Sequence, residues 1–204
     1  MSCKETTWSV PGAVGGCIAL FFSVLFSPTA ASPFEKYKSM REYDSHFLMY
    51  SNRYFGPQFD WRYFKAQAIV ESRLRPDVQS RHGAMGIMQI RPSTFMEVTL
   101  KNPHIRSYPN QAQWSIAAGI YYNRVMWNGW QEPRTVQDRL NFMLASYNAG
   151  KFNILRAQRL ARFMGLDPRS WVSIENISPF MSDPSVQGAV AYVRKVNHAW
   201  TAIQ

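Results

Sequence analysis

The chain has 204 residues, with 23 Lys and Arg against 13 Asp and Glu, and a formal charge of +10. That length suits one domain with a substantial core and is short for two. Its two cysteines, Cys3 and Cys17, both lie near the N-terminus, which excludes a disulfide scaffold or thiolate metal site in the rest. The charge would attract any polyanion or acidic polymer and does not choose between them, but the basic residues are dispersed and no zinc-finger, basic-zipper or RNA-recognition signature is present, which weighs against nucleic acid.

No charged residue falls between Glu5 and Glu35, and the most apolar part, Cys17 to Phe26, precedes the small residues Thr29-Ala30-Ala31. This pattern predicts a secretory signal over residues 1–31, a mature domain over 32–204 and a periplasmic or cell-envelope location. An uncleaved anchor through residues 6–31, associating the protein with a membrane, is the alternative. A lipoprotein box at Val14-Gly15-Gly16-Cys17 fits poorly, because the apolar run follows the cysteine.

Tyr43, Phe47, Tyr50 and Tyr54 recur at helical spacing and predict a core-facing helix that ends at Gly56-Pro57. Asp60 is a candidate cap for a second helix, Trp61 to Arg73, which contains no Gly or Pro and is stopped by Pro76. On that helix Glu71 lies within about 20° of Phe64 and about 60° of Ala68, on the stripe that should face the core. Desolvation there disfavours the charged form, so Glu71 is a candidate general acid; pairing with Arg73 or Arg75 at the helix end is the structural alternative. The loop that follows, Gly83-Ala84-Met85-Gly86-Ile87-Met88-Gln89, has two glycines that permit tight turns. Gln89 offers both a donor and acceptors suited to sugar groups, or an ordinary turn cap.

Residues 101 to 109, with Pro103 and Pro109, read as a loop. Asn110 is the predicted cap of a helix with Trp114, Ala117, Ala118, Tyr121 and Val125 on one face. Thr135 and Asp138 form a capping box for a helix with Val136, Leu140, Met143, Leu144 and Tyr147 inward, ended by Gly150. A further helix runs to about Gly165, and a loop region to residue 182 is expected to wall a groove. Asp183-Pro184 starts the last helix, aligning Val186, Val190, Val193, Asn197 and Trp200. All strong periodicity is helical, so a mainly α domain is expected. His46, His82, His104 and His198 lack ligand spacing, so neither metal nor cofactor is expected.

Taken together, Glu71-Ser72, Ser80, Gly86-Ile87-Met88-Gln89-Ile90 and Pro92-Ser93-Thr94 resemble the signature of the lytic transglycosylases of bacterial cell walls. Ala117 to Tyr122, Tyr147-Asn148-Ala149-Gly150 and Tyr192-Val193 resemble the further motifs of that family, and Phe59-Asp60-Trp61-Arg62 resembles its F-type membrane-bound branch. Many members carry a glutamate where this chain has Gly188, and that substrate contact is not carried over.

The resemblance implies a lysozyme-like single domain over roughly residues 40 to 200, with several packed helices and a glycine-rich loop or short hairpin after the catalytic helix. It implies cleavage of the bond between N-acetylmuramic acid and N-acetylglucosamine in peptidoglycan glycan strands, leaving a 1,6-anhydro end. Glu71 would act as acid and then base, Tyr147 would hold its carboxyl, Ser80 and Gln89 would orient the sugar, and Met88 and Asn148 would line the groove. Hydrolysis by a goose-type lysozyme, or non-catalytic wall binding, are the alternatives, and cell-envelope machinery is a candidate partner. Most glycosidases use two carboxylates; Glu71 is the one convincing candidate, since Asp77 sits in a turn and Glu97, Glu132 and Glu175 fall in no motif.

Overall fold

A computed structural model describes residues 31–106 and 108–204, so the export segment expected at residues 1–31 lies, but for Ala31, outside the described residues. Among the described residues there are eight α-helices and no named strand: α1 (Asp44–Phe55), α2 (Arg62–Ser72), α3 (Pro92–Lys101), α4 (Ala112–Asn128), α5 (Val136–Ala149), α6 (Lys151–Phe163), α7 (Trp171–Ile177) and α8 (Pro184–Ala202). Short 3-10 turns cover Glu35–Tyr37 and Ser178–Phe180. The domain is mainly α, as the periodicity predicts. None of these helices is long and apolar enough to cross a membrane.

Local chemistry explains several helix ends. Gly56 takes φ +90° at the end of α1 and Gly150 takes φ +82° at the end of α5, angles open to a residue without Cβ. Thr135 Oγ1 accepts the Asp138 amide at 3.0 Å, the predicted cap of α5, and Asp138 Oδ1 accepts the Trp171 amide, so Asp138 takes part in the start of both α5 and α7. Asp183 accepts the Ser185 amide at the head of α8. Asp60 accepts the Arg62 amide at 3.1 Å and Trp200 Nε1 at 2.9 Å, which caps α2 and also ties it to the far end of α8.

Packing follows from the apolar stripes. α2 lies on α8, α5 on both α4 and α8, and α1 on α4. Phe47, Phe64, Ile116, Ile120, Phe142, Met143 and Leu144 are fully buried between them. The face of α1 is as expected, and Tyr54 meets Tyr121 of α4 edge-on at 5.3 Å.

Four expectations are corrected. Residues 92–101 form α3, opened by Pro92 at its first turn, before the expected loop begins. Asn110 does not cap α4; the chain enters through Gln111 with no side-chain cap. Val136 is 74% exposed, because the first residue after a cap still faces away from the core. Residues 166–182 are not merely loop: Trp171, Ile174 and Ile177 fold α7 onto the core, and no residue of this stretch lines the cleft described below.

A candidate active site at the end of α2

Helix α2 ends at Ser72, earlier than Pro76 demands, because Arg73 and Leu74 both take left-handed angles, φ 59° and 61°. Non-glycine residues adopt such angles at a cost, which here turns the chain sharply and seats Leu74 in the core at 5% exposure. The loop then folds back. Gln79 and Met85, and Met85 and Ile90, form antiparallel bridges, the short hairpin expected after the catalytic helix. Ser80 closes its tip by exchanging main-chain and side-chain hydrogen bonds with Ala84. Gly86, at φ +75°, passes so close to Pro109 that an added Cβ would lie 2.0 Å from the Pro109 carbonyl oxygen, so only glycine fits. Ser72 Oγ donates to the Ile87 carbonyl at 2.8 Å and pins the loop to α2.

Between this loop, the start of α3 and the ends of α2 and α5 lies a cleft of about 400 Å³. Glu71, Ser80, His82, Gln89, Arg91, Thr94, Tyr122, Tyr147 and Asn148 are among its lining residues. Of the six site residues read from sequence, five therefore converge: Glu71, Ser80, Gln89, Tyr147 and Asn148. The sixth, Met88, does not. Its side chain is fully buried against Gly119, where an added Cβ would come within 2.7 Å of it, so Met88 packs the loop onto α4 and does not line the groove.

Glu71 is the only carboxylate among the described residues lining the cleft. Burial pushes its pKa up from 4.5 to about 7, against a hydrogen bond from Tyr192 that lowers it. No ion pair to Arg73 or Arg75 forms. The partner of Glu71 is also not Tyr147. Tyr192 Oη donates to Glu71 Oε1 at 2.6 Å, whereas Tyr147 Oη donates to the Met88 carbonyl at 2.7 Å. Tyr147 thus fixes the loop beside the acid, and Tyr192 holds the acid. Burial drives both phenols well above their ordinary pKa, so they stay neutral donors.

Tyr192 is the functional residue that sequence reasoning left without a role. The signal was a second apolar stripe on α8, Ala189, Tyr192, Val196 and Ala199, all buried, with one hydroxyl in it that had to find a partner. Gln89, at φ 47°, spends its amide nitrogen on the Val78 and Gly86 carbonyls at 3.0 and 2.9 Å, which leaves its oxygen as the group it can offer the cleft.

The fold and the cleft together define a lysozyme-like helical domain built around one reluctant acid. Its residues 52–166 match the family described as the Transglycosylase SLT domain, and the chain belongs to that family. It is 35% identical over 134 residues to membrane-bound lytic murein transglycosylase F of Maricaulis maris, covering 66% of this chain and 28% of that one. To the protein of the same name in Shewanella woodyi it is 30% identical over 144 residues, 70% of this chain and 29% of the other. The chain thus spans under a third of the length of these relatives. The fold is similar to that of the 70 kDa soluble lytic transglycosylase of Escherichia coli, with a TM-score of 0.58 and 23% identity over 80% of this chain and 24% of that chain.

Proposed function

We propose that the protein is a peptidoglycan lytic transglycosylase of the cell envelope, in which Glu71 serves first as acid and then as base. The observation that carries this reading is the solitary Glu71 carboxyl in the cleft, with a pKa of about 7. A hydrolase working through two carboxylates needs a second one about 5 to 9 Å away. A single acid suffices where the substrate supplies its own nucleophile. A pKa near neutrality suits a group that must donate a proton and then take one back.

In the first step the Glu71 carboxyl protonates the glycosidic oxygen as the bond to the muramic C1 breaks, assisted by the neighbouring acetamido oxygen. In the second, the Glu71 carboxylate takes the proton of the muramic 6-hydroxyl, whose oxygen bonds to C1 as the acetamido oxygen leaves it, closing the anhydro ring. No water is consumed and Glu71 ends protonated, as it began. Tyr192 steadies the ionised intermediate form by its hydrogen bond, and Ser80, Gln89 and Asn148 contact the sugar. The names of the relatives, and the segment ahead of residue 32, support export to the envelope, by cleavage or as a membrane anchor.

Digestion of purified peptidoglycan with the protein and with a Glu71→Gln copy, followed by mass spectrometry of the released muropeptides, tests the reading. Products lighter by one water than reducing ends, lost in the variant, are expected, with activity reduced by about 10²- to 10⁴-fold. Reducing ends would mean hydrolysis of the goose-lysozyme kind. No release by either protein would leave wall binding or a scaffold role.

A further inference from the structure

Behind Glu71, away from the cleft, lies a buried polar group that the reaction as described does not use. Gln67 sits one turn before Glu71 on α2 and is fully buried. Its Oε1 accepts from Asn123 Nδ2 of α4 at 2.7 Å, and the same Nδ2 donates to the Gly119 carbonyl at 3.0 Å. Both hydrogens of the Asn123 amide are thereby used. The Gly119 carbonyl can only accept, so Asn123 must present its nitrogen, and Gln67 must answer with its oxygen. The orientation of the Gln67 amide is therefore fixed, and its Nε2 is left buried with no formed partner.

Such an orphan donor is costly, and buried donors are seldom left so without a reason. Here the neighbouring group is the Tyr192 hydroxyl, near enough for Gln67 to lower the pKa of the phenol although no hydrogen bond between them is formed. That hydroxyl already donates to Glu71 at 2.6 Å, so its oxygen is the acceptor still open to Gln67. Hydrogen bonds in a chain polarise one another. A neutral Glu71 pulls weakly on the tyrosine proton, and an ionised Glu71 pulls hard, making the phenol oxygen a better acceptor.

We propose that Gln67 is a positioning residue for the reaction, one that reaches Glu71 only through Tyr192: its orphan amide donates to the tyrosine oxygen once Glu71 has given up its proton. The inference rests on the role of Glu71 proposed above. It assigns the chain Asn123, Gln67, Tyr192, Glu71, running from α4 through α2 and α8 to the cleft, as the device that receives negative charge after the first step. The other titratable groups facing Glu71 are Tyr147 from α5, Tyr122 from α4, and His82 and Arg91 across the cleft. None of these has a formed hydrogen bond or ion pair to the carboxylate among the described residues, so the Tyr192 arm is the one that Gln67 can modulate.

The test is a carboxyl NMR titration of glutamate-labelled protein, with the Glu71 signal assigned by its loss in Glu71→Gln. In Gln67→Leu, or Gln67→Met should leucine not be housed, the Glu71 midpoint rises by roughly half to one pH unit, the worth of one net hydrogen bond. Turnover falls roughly five- to tenfold with KM unchanged. In a Tyr192→Phe background the same substitution leaves the midpoint where it was, because the route is already cut. A midpoint unmoved in the folded Gln67 variants, or one that still shifts without the tyrosine hydroxyl, overturns the proposal. The titration needs no substrate, so it can fail while the transglycosylase reading stands, and a protein that titrates as expected but cuts nothing would sink that reading instead.

Discussion

Helix α2 carries two ionisable side chains into the interior, Lys65 and Glu71, six residues apart, and the structure treats them in opposite ways. The Lys65 side chain is 3% exposed, but its ammonium lies 2.7 Å from Asp44 Oδ1 and donates to the Met40 carbonyl at 2.6 Å. Glu71 at the other end meets no cation, only the neutral hydroxyl of Tyr192. The paired ammonium holds α2 to the first residue of α1 and to the turn before it. A partly buried acid without a counter-charge, desolvated at the wall of the cleft, holds its proton to about pH 7 instead. Burial alone therefore does not mark a functional group; burial left uncompensated beside a cleft does.

Breaking the compensated end has the larger effect on stability. Asp44→Asn keeps the shape and removes the counter-charge, and it should cost about 3 kcal/mol in chemical denaturation at pH 7, since the buried ammonium then keeps only the neutral Met40 carbonyl. Activity of the folded fraction should hold. A loss under about 1 kcal/mol would show that Lys65 finds water or another partner, and the contrast would fail.

At the uncompensated end the sign reverses. Glu71 has its folded pKa raised above 4.5, so the stability its protonated form allows is fully present below pH 4.5, declines as pH rises, and is lost through about pH 7. Glu71→Gln removes that slope. The variant should match the parent at pH 4 and exceed it at pH 8 by about 2 to 3 kcal/mol while losing activity. Denaturation curves at the two pH values check this, and equal differences at both would mean that Glu71 titrates as an ordinary carboxyl.

This contrast was only half legible in the sequence. Glu71 could be placed because its inward angle follows from helical geometry, and Thr135, Gly150 and Asp183 because caps act within a turn of themselves. Tyr192 is 121 residues from Glu71, and their pairing exists only because α8 packs on α2. The same limit hid Met88: its burial depends on Gly119 of α4 leaving a space for it, which no local pattern in the loop reveals. Tyr147 was assigned the right neighbourhood and the wrong acceptor, because a motif gives position in the fold without giving the direction of a hydroxyl. α3 is hard to read because only Phe95 and Val98 of its ten residues are buried, too few to mark a helical period.

The start of α2 offers a smaller test of how firmly the helix itself is held. Asp60 accepts from the Arg62 amide, from Arg62 Nε and from Trp200 Nε1, so Asp60→Ala removes a cap and the tie to α8 together. About 1 to 2 kcal/mol should be lost in thermal or chemical unfolding. Because the substitution lies at the far end of α2 from Glu71, and Asp60 with its lowered pKa titrates at more acid pH, the slope of stability between pH 5 and 8 should be unchanged. A changed slope would mean that the two ends of the helix are not independent.

The finest discrimination comes from Tyr192→Phe, which deletes one oxygen and leaves the packing of α8 against α2. The hydroxyl favours ionised Glu71, so its removal raises the Glu71 pKa further, by roughly half to one unit for one net hydrogen bond. At pH 5, where Glu71 is protonated in both proteins, their stabilities should differ little from this cause. At pH 8 the variant should fall behind by about 1 kcal/mol more, because the carboxylate there has lost the Tyr192 donor. The alkaline limb of the rate profile should move upward in step, since the free acid persists to higher pH. If instead the loss is the same at both pH values and the limb stays in place, the 2.6 Å contact is no more than packing, and nothing from Tyr192 offsets the desolvation that raises the Glu71 pKa.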